Sequence, residues 1–145
     1  MTSKREQVLS TLFTKLKILE SATVKVYRNM DKPQKVTTGG IIILRDGSSD
    51  EPEVLLSPLT YIFEHNAQLE VMVQNPDTAL RDTALDALLA NIGTVINNYR
   101  TLDGLAEWVE ARTPEMDEEP IEGAASVKAA TVQVMVRFFT TDPLN

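Results

Sequence analysis

Cysteine is absent from this 145-residue chain, and histidine occurs once. The first absence removes disulfide staples, thiol nucleophiles and thiolate metal sites together. Long apolar runs are also missing: the longest, Ile41 to Leu44 and Ala87 to Ala90, fall far short of the ~20 residues that cross a bilayer. Positive charge is scarce, with 14 Lys and Arg against 21 Asp and Glu and a formal charge of −7, which argues against a gripped or wrapped nucleic acid but not against DNA passing nearby. The opening MTSKREQ goes straight into charged and polar residues. Without the apolar stretch of a secretory signal, the chain is expected to stay in the cytoplasm where it is made.

What is present is ordinary globular composition, 43% hydrophobic and 24% charged, in a length suited to one domain over residues 1–145. The most ordered writing is TYIFEHNAQLEVMVQ, residues 60 to 74. Tyr61, Phe63, Ala67, Leu69, Val71 and Val73 share one parity, and Glu64, Asn66, Gln68, Glu70 and Gln74 the other. Strict period-2 alternation predicts one half-buried strand. At about 3.3 Å per residue it reaches roughly 50 Å, well beyond the usual strand.

Around it, Ser3 and Glu6 form an S-x-x-E capping box ahead of Val8, Leu9, Leu12, Phe13, Leu16 and Leu19, which predicts a helix over 4–20. Val24 to Tyr27 reads as a short strand and Ile41 to Leu44 as a strand buried on both faces. The turn formers of 45–52 predict a mobile hairpin tip leading to a strand at 53–57. Pro58 then interrupts the ladder, with the long strand continuing the same ribbon after a bend. Asp77 starts a second helix over 78–99, whose apolar stripe runs from Leu80 to Tyr99. Strands follow at 105–112 and 127–139, separated by an acidic loop near 113–125. The order α-β-β-β-β-α-β-β predicts an α+β fold: one mixed, largely antiparallel sheet with two helices packed on one face.

No constellation assembles an active site. A Ser-His-Asp set would have to use His65, with Ser57 as the nearest nucleophile, yet no G-x-S-x-G elbow surrounds Ser57. His65, at an apolar-parity position, reads better as a core or interface histidine. The carboxylates between Glu115 and Glu122 lack the spacing of a calcium loop, so no metal and no cofactor is expected. Gly39-Gly40 precedes a strand and not a helix, so a turn or close backbone approach fits better than a phosphate cradle. Asp77, Asp82 and Asp86 read as an N-cap and a polar helix face. Trp108, with little positive charge around it, reads as a core or interface aromatic and not as a base-stacking platform. The protein is therefore expected not to be an enzyme. A strand too long for its own core can offer the excess as an edge for a neighbouring subunit, so the long ribbon is expected to be assembly surface.

The stretches GGIIILRDG, PEVLLSPLTYIFEHNAQLEVMVQ, RDTALDALLANIGTVINNYRTLDGLAEWVE and AASVKAATVQVMVRFFTTDPL together resemble the tail terminator (tail completion) family of long-tailed phages, prophages and gene transfer agents. The resemblance lies in the order and texture of elements over nearly the whole chain from about residue 5. It implies a structural subunit that forms a homo-oligomeric, hexameric ring on the head-proximal end of the tail tube. Such a ring ends tube polymerisation and offers the surface that joins tail to head. The implied partners are further copies of the chain, the tail tube protein and the head–tail connector, with DNA passing through the ring unbound and no membrane involved. The implied location is the host cytoplasm during assembly and then the virion tail. A head–tail connector or other neck protein is the alternative, and a small enzyme such as an acyl transferase a more distant one. The family carries no catalytic residues, so interface positions come from the sequence itself: Asp46, Gly47, Asp50, Glu51, Glu64, Gln68 and Glu70 for subunit or tube contacts, and Asp117, Glu118 and Glu119 for an acidic loop facing the lumen.

Overall fold

A computed structural model describes residues 2–31, 35–117 and 127–145. Helix α1 (Lys4–Leu16) ends in a 3-10 turn over Lys17–Leu19. It is followed by strands β1 (Val24–Arg28), β2 (Gly40–Ser49), β3 (Glu53–Leu56) and β4 (Leu59–Gln74), helix α2 (Thr78–Asn98), and strands β5 (Trp108–Ala111), β6 (Glu115–Asp117) and β7 (Val127–Thr140). All seven strands form one sheet, ordered β1-β2-β4-β7-β5, with β3 paired to β4 and β6 paired to β7. Only β1 and β2 run parallel; every other pair is antiparallel. This is the expected α+β fold with one strand more than the sequence pattern indicates.

The alternation of β4 sorts its side chains as expected. Ala67, Leu69, Val71 and Val73 are buried in one core with Ile42 and Leu44 of β2, Val132, Val134, Val136 and Phe138 of β7, and the apolar stripes of both helices. Val8, Leu9, Leu12 and Leu16 come from α1, and Leu85, Leu88, Ile92, Val95 and Ile96 from α2. Both helices therefore cover one face of the sheet. Leu80, at the start of the α2 stripe, is an exception and stays exposed. Ile41 and Ile43 are buried too, although their parity places them on the other face beside Met72 and Glu70. The central run of β2 is thus covered on both sides.

Helix starts follow their caps. Ser3 Oγ accepts from the Glu6 amide at 3.1 Å, and Asp77 Oδ1 accepts from the Leu80 amide at 3.1 Å. The capping box is only half formed, however. The Glu6 carboxylate turns to the Arg28 guanidinium at 2.7 and 2.8 Å because a charged partner holds it more strongly than a backbone N–H does.

Three expectations about the ribbon are corrected. The 45–52 segment is not a hairpin tip, since β2 runs to Ser49 and remains paired with β4. The chain reverses instead at Ser57-Pro58, a cis peptide bond, and β3 folds back on β4 with Leu56 opposite Leu59. Nor does β4 offer an edge. β7 pairs with it from Tyr61 to Gln74, and β2 and β3 occupy its other side, so β4 is the middle of the sheet. Finally, Glu115–Asp117 is not loop but the edge strand β6, which pairs with Ala129–Thr131.

Candidate functional site

The turn-rich residues of β2 are absorbed by a bulge. Arg45 faces Gln68 and Ser48 faces Asn66, so three steps on β2 match two on β4. Gly47 takes up the extra residue at φ +67°. A Cβ there would lie 1.9 Å from the Asn66 carbonyl oxygen, so only glycine fits this glycine-type bulge. Gly40, at φ +109°, is restricted in the same way by Leu88 and the Met72 carbonyl, as the close-approach reading of Gly39-Gly40 expects.

His65 fastens the bulge from the neighbouring strand. It is 2% exposed; its Nδ1 lies 2.7 Å from Ser49 Oγ, and its Nε2 bonds the Asp46 carbonyl. A carbonyl only accepts, so Nε2 carries the proton and Nδ1 accepts from the Ser49 hydroxyl. Burial is the main influence on the imidazole and pulls its pKa below the ordinary 6.5, against the smaller opposing effect of the Asp46 hydrogen bond. The ring is therefore neutral at pH 7. Ser57, the sequence candidate for a partner, lies in the hairpin turn and does not join it. A cavity of only about 10 Å³, lined by Ser49, Arg5, Phe63 and the 143–145 segment, adjoins the pair. That is about the room one water needs, and it admits no substrate.

The Asp46 side chain points into an ion cluster. Arg28 Nε and Nη2 donate to its carboxylate at 2.9 and 3.1 Å, and the same guanidinium grips Glu6. Burial is the largest single influence on Asp46 and disfavours its charged form, but the hydrogen bonds from Arg28 and Asn29 together with the Arg28 charge outweigh it and leave the pKa below its ordinary value. Glu6 is lowered chiefly by its own hydrogen bond from Arg28, and Arg28 is raised by both partners, Glu6 first.

The remaining sequence candidates are dispersed. Glu64 pairs with Arg137 at 3.3 Å, and Glu70 with Arg45 at 3.2 Å. Gln68 lies opposite Gln133 on the same outward face of the sheet. Asp50 and Glu51 are exposed at the jog between β2 and β3, where the Asp50 amide still donates to the Glu64 carbonyl at 3.1 Å. Asp117 belongs to β6, whereas Glu118 and Glu119 lie outside the described residues. Trp108 is half-exposed and carries the Arg100 guanidinium 4.7 Å from its ring centroid. Among the described residues no three His, Asp or Glu side chains converge in a way that could hold a metal, and no helix is long and apolar enough to cross a membrane.

The feature that the sequence reading missed is the β3–β4 hairpin. Val54, Leu55, Leu56 and Leu59 are all exposed there, Leu56 to 80%. Direct pairing puts Val54 with Tyr61 and Leu56 with Leu59 on the face that forms the core elsewhere, and Leu55 with Thr60 on the opposite face. The hairpin is thus apolar on both sides beyond the reach of either helix. A signal was available: the run Val54-Leu55-Leu56 breaks period-2 alternation next to a proline, where a both-faces-buried interior strand is disfavoured.

No known protein-family profile matches this sequence, and no characterised protein matches it. Among solved structures, the chain is similar to the PVC sheath/tube terminator of an extracellular contractile injection system, seen by cryo-EM in its extended state. The two share 8% identity and a TM-score of 0.42, with 94% of this chain and 56% of that one covered. The chain thus spans a little over half the length of that neighbour.

Proposed function

We propose that this protein is a structural tail protein that caps the tail tube as a ring, ends tube polymerisation and presents the surface to which the head joins. The observation that carries this reading is the β3–β4 hairpin. Contiguous leucines exposed on both faces of a projecting ribbon mark an interaction surface, and the described residues include no cavity able to take a substrate beside the one histidine. The resemblance in element order and texture to tail terminators supplies the kind of assembly. The interface role of Asp50, Glu51, Glu64, Gln68 and Glu70 belongs to the same proposal, with Asp46 and Gly47 contributing through the bulge that aims the hairpin.

The charge balance suits such a ring. At −7 per copy, an acidic wall repels the phosphate backbone and lets DNA pass without sticking. Asp117, Glu118 and Glu119 are proposed to face that passage. Their reversal to lysine is expected to slow DNA delivery by intact particles; unchanged delivery rejects the lumen assignment.

Electron microscopy of particles made without the protein tests the main reading. Overlong, uneven tails are expected. Tails of normal length lying loose beside filled heads would reject capping in favour of a head–tail connector.

A further inference from the structure

Charge is distributed unevenly along the chain. Residues 1–45 hold nine basic and three acidic residues, a formal +6, whereas residues 46–145 hold five basic and eighteen acidic, a formal −13. No Lys or Arg occurs between Arg45 and Arg81, the span that contains the whole hairpin. The two ends of β4 carry different surfaces. At the Leu59 end, the leucines of the hairpin are flanked by exposed Asp50, Glu51 and Glu53, none in an ion pair among the described residues.

At the Gln74 end lies an open groove of about 430 Å³, lined by Ala22, Thr23, Lys35, Val36, Thr38 and Pro76 among others, with no carboxylate in its lining. Lys35 stands in it and is in no ion pair among the described residues. Most other cations of the N-terminal third are neutralised internally: Lys15 by Asp103, Lys17 by Glu20, Arg28 by Glu6 and Asp46, and Arg45 by Glu70.

We infer that the Lys35–Val36 groove of one copy receives the β3–β4 hairpin of the next. The leucine tip, Leu56 and Leu59, enters between Val36 and Pro76, while Glu53 and its acidic neighbours face Lys35. The occupant is a second copy because this chain itself carries the complement of each surface: an apolar projection flanked by acids in no ion pair among the described residues, and a recess that holds Lys35 and has no carboxylate in its lining. The two surfaces differ and lie at opposite ends of the molecule, so the contact is head-to-tail. Repeated, a head-to-tail contact closes into a ring when its rotation permits. The inference rests on the capping reading for the ring's purpose, but the contact stands apart from it.

Because the chain lacks cysteine, the double variant Leu56→Cys/Val36→Cys carries thiols only at the two proposed contact points. Mild oxidation of the concentrated full-length protein, and of particles assembled with it, is expected to give a ladder of disulfide-linked multimers. Leu56→Cys alone should not pass the dimer, and the control Leu56→Cys/Trp108→Cys should not ladder. No ladder in either preparation, or an equal ladder from the control, overturns the inference. Sedimentation gives a second reading. Lys35→Glu and Glu53→Lys should each weaken association about tenfold, and their combination should recover most of it. Singles without effect, or a combination no better than the singles, would also overturn it. A ladder together with tails of normal length in particles lacking the protein would reject capping and leave the contact standing.

Discussion

Gly47 and His65 show how single residues fix the bulge in β2. Gly47 permits the bulge, and His65 bolts it by bonding Ser49 and the Asp46 carbonyl from the next strand. Replacing Gly47 with alanine forces a left-handed backbone on a residue whose Cβ meets a carbonyl oxygen. The loss should be about 2–4 kcal/mol in urea unfolding. His65 makes stability depend on pH. Its folded pKa lies below the ordinary 6.5, so the unfolded chain binds more protons in that interval. Stability therefore falls as pH drops from 6.5 towards the lowered folded value. Glu6 and Asp46, whose values are lowered from 4.5 and 3.8, lose their contribution only at more acid pH. A His65→Gln variant should be less stable at pH 7, yet its urea midpoint should be flatter between pH 6.5 and 5. An unchanged slope would show that another group titrates there.

Among the elements, long amphipathic ones were legible and short ones were not. The parity of β4 and the stripe of α2 each report burial against a single face, a local signal repeated many times. β6 left no such trace, because Glu115, Met116 and Asp117 are all exposed on an edge and show no burial pattern. The bulge was hidden for another reason. Asp46, Gly47, Ser48 and Ser49 have turn composition, and only the pairing of Ser49 with His65, 16 residues away, reveals them as strand. The sequence pattern pointed to acids and passed over the leucines, since exposure depends on where the helices stop. For the hairpin, Leu56→Asp should change folding stability by no more than about 0.5 kcal/mol, because the side chain is already in solvent. The same substitution should abolish self-association in sedimentation. A large loss of stability would instead show that the tip is packed within its own subunit.

At the scale of the whole molecule, the proposed contact between the hairpin acids and Lys35 predicts an association sensitive to salt. Attraction between partly exposed acids and lysines is screened over about 10 Å at 0.1 M ionic strength. Raising salt from low to physiological levels should weaken self-association, and the Lys35→Glu/Glu53→Lys combination should keep that dependence. Association strengthened by salt would indicate an interface governed by leucines alone. The β4–β7 ladder joins fourteen residue pairs from Tyr61↔Thr140 to Gln74↔Val127 and runs nearly the full distance between hairpin and groove. Tension pulling the two ends apart along that axis is borne in shear by many hydrogen bonds at once, with no weak link to unzip first. The molecule is built as a stiff strut along that axis, suited to carrying mechanical load without yielding.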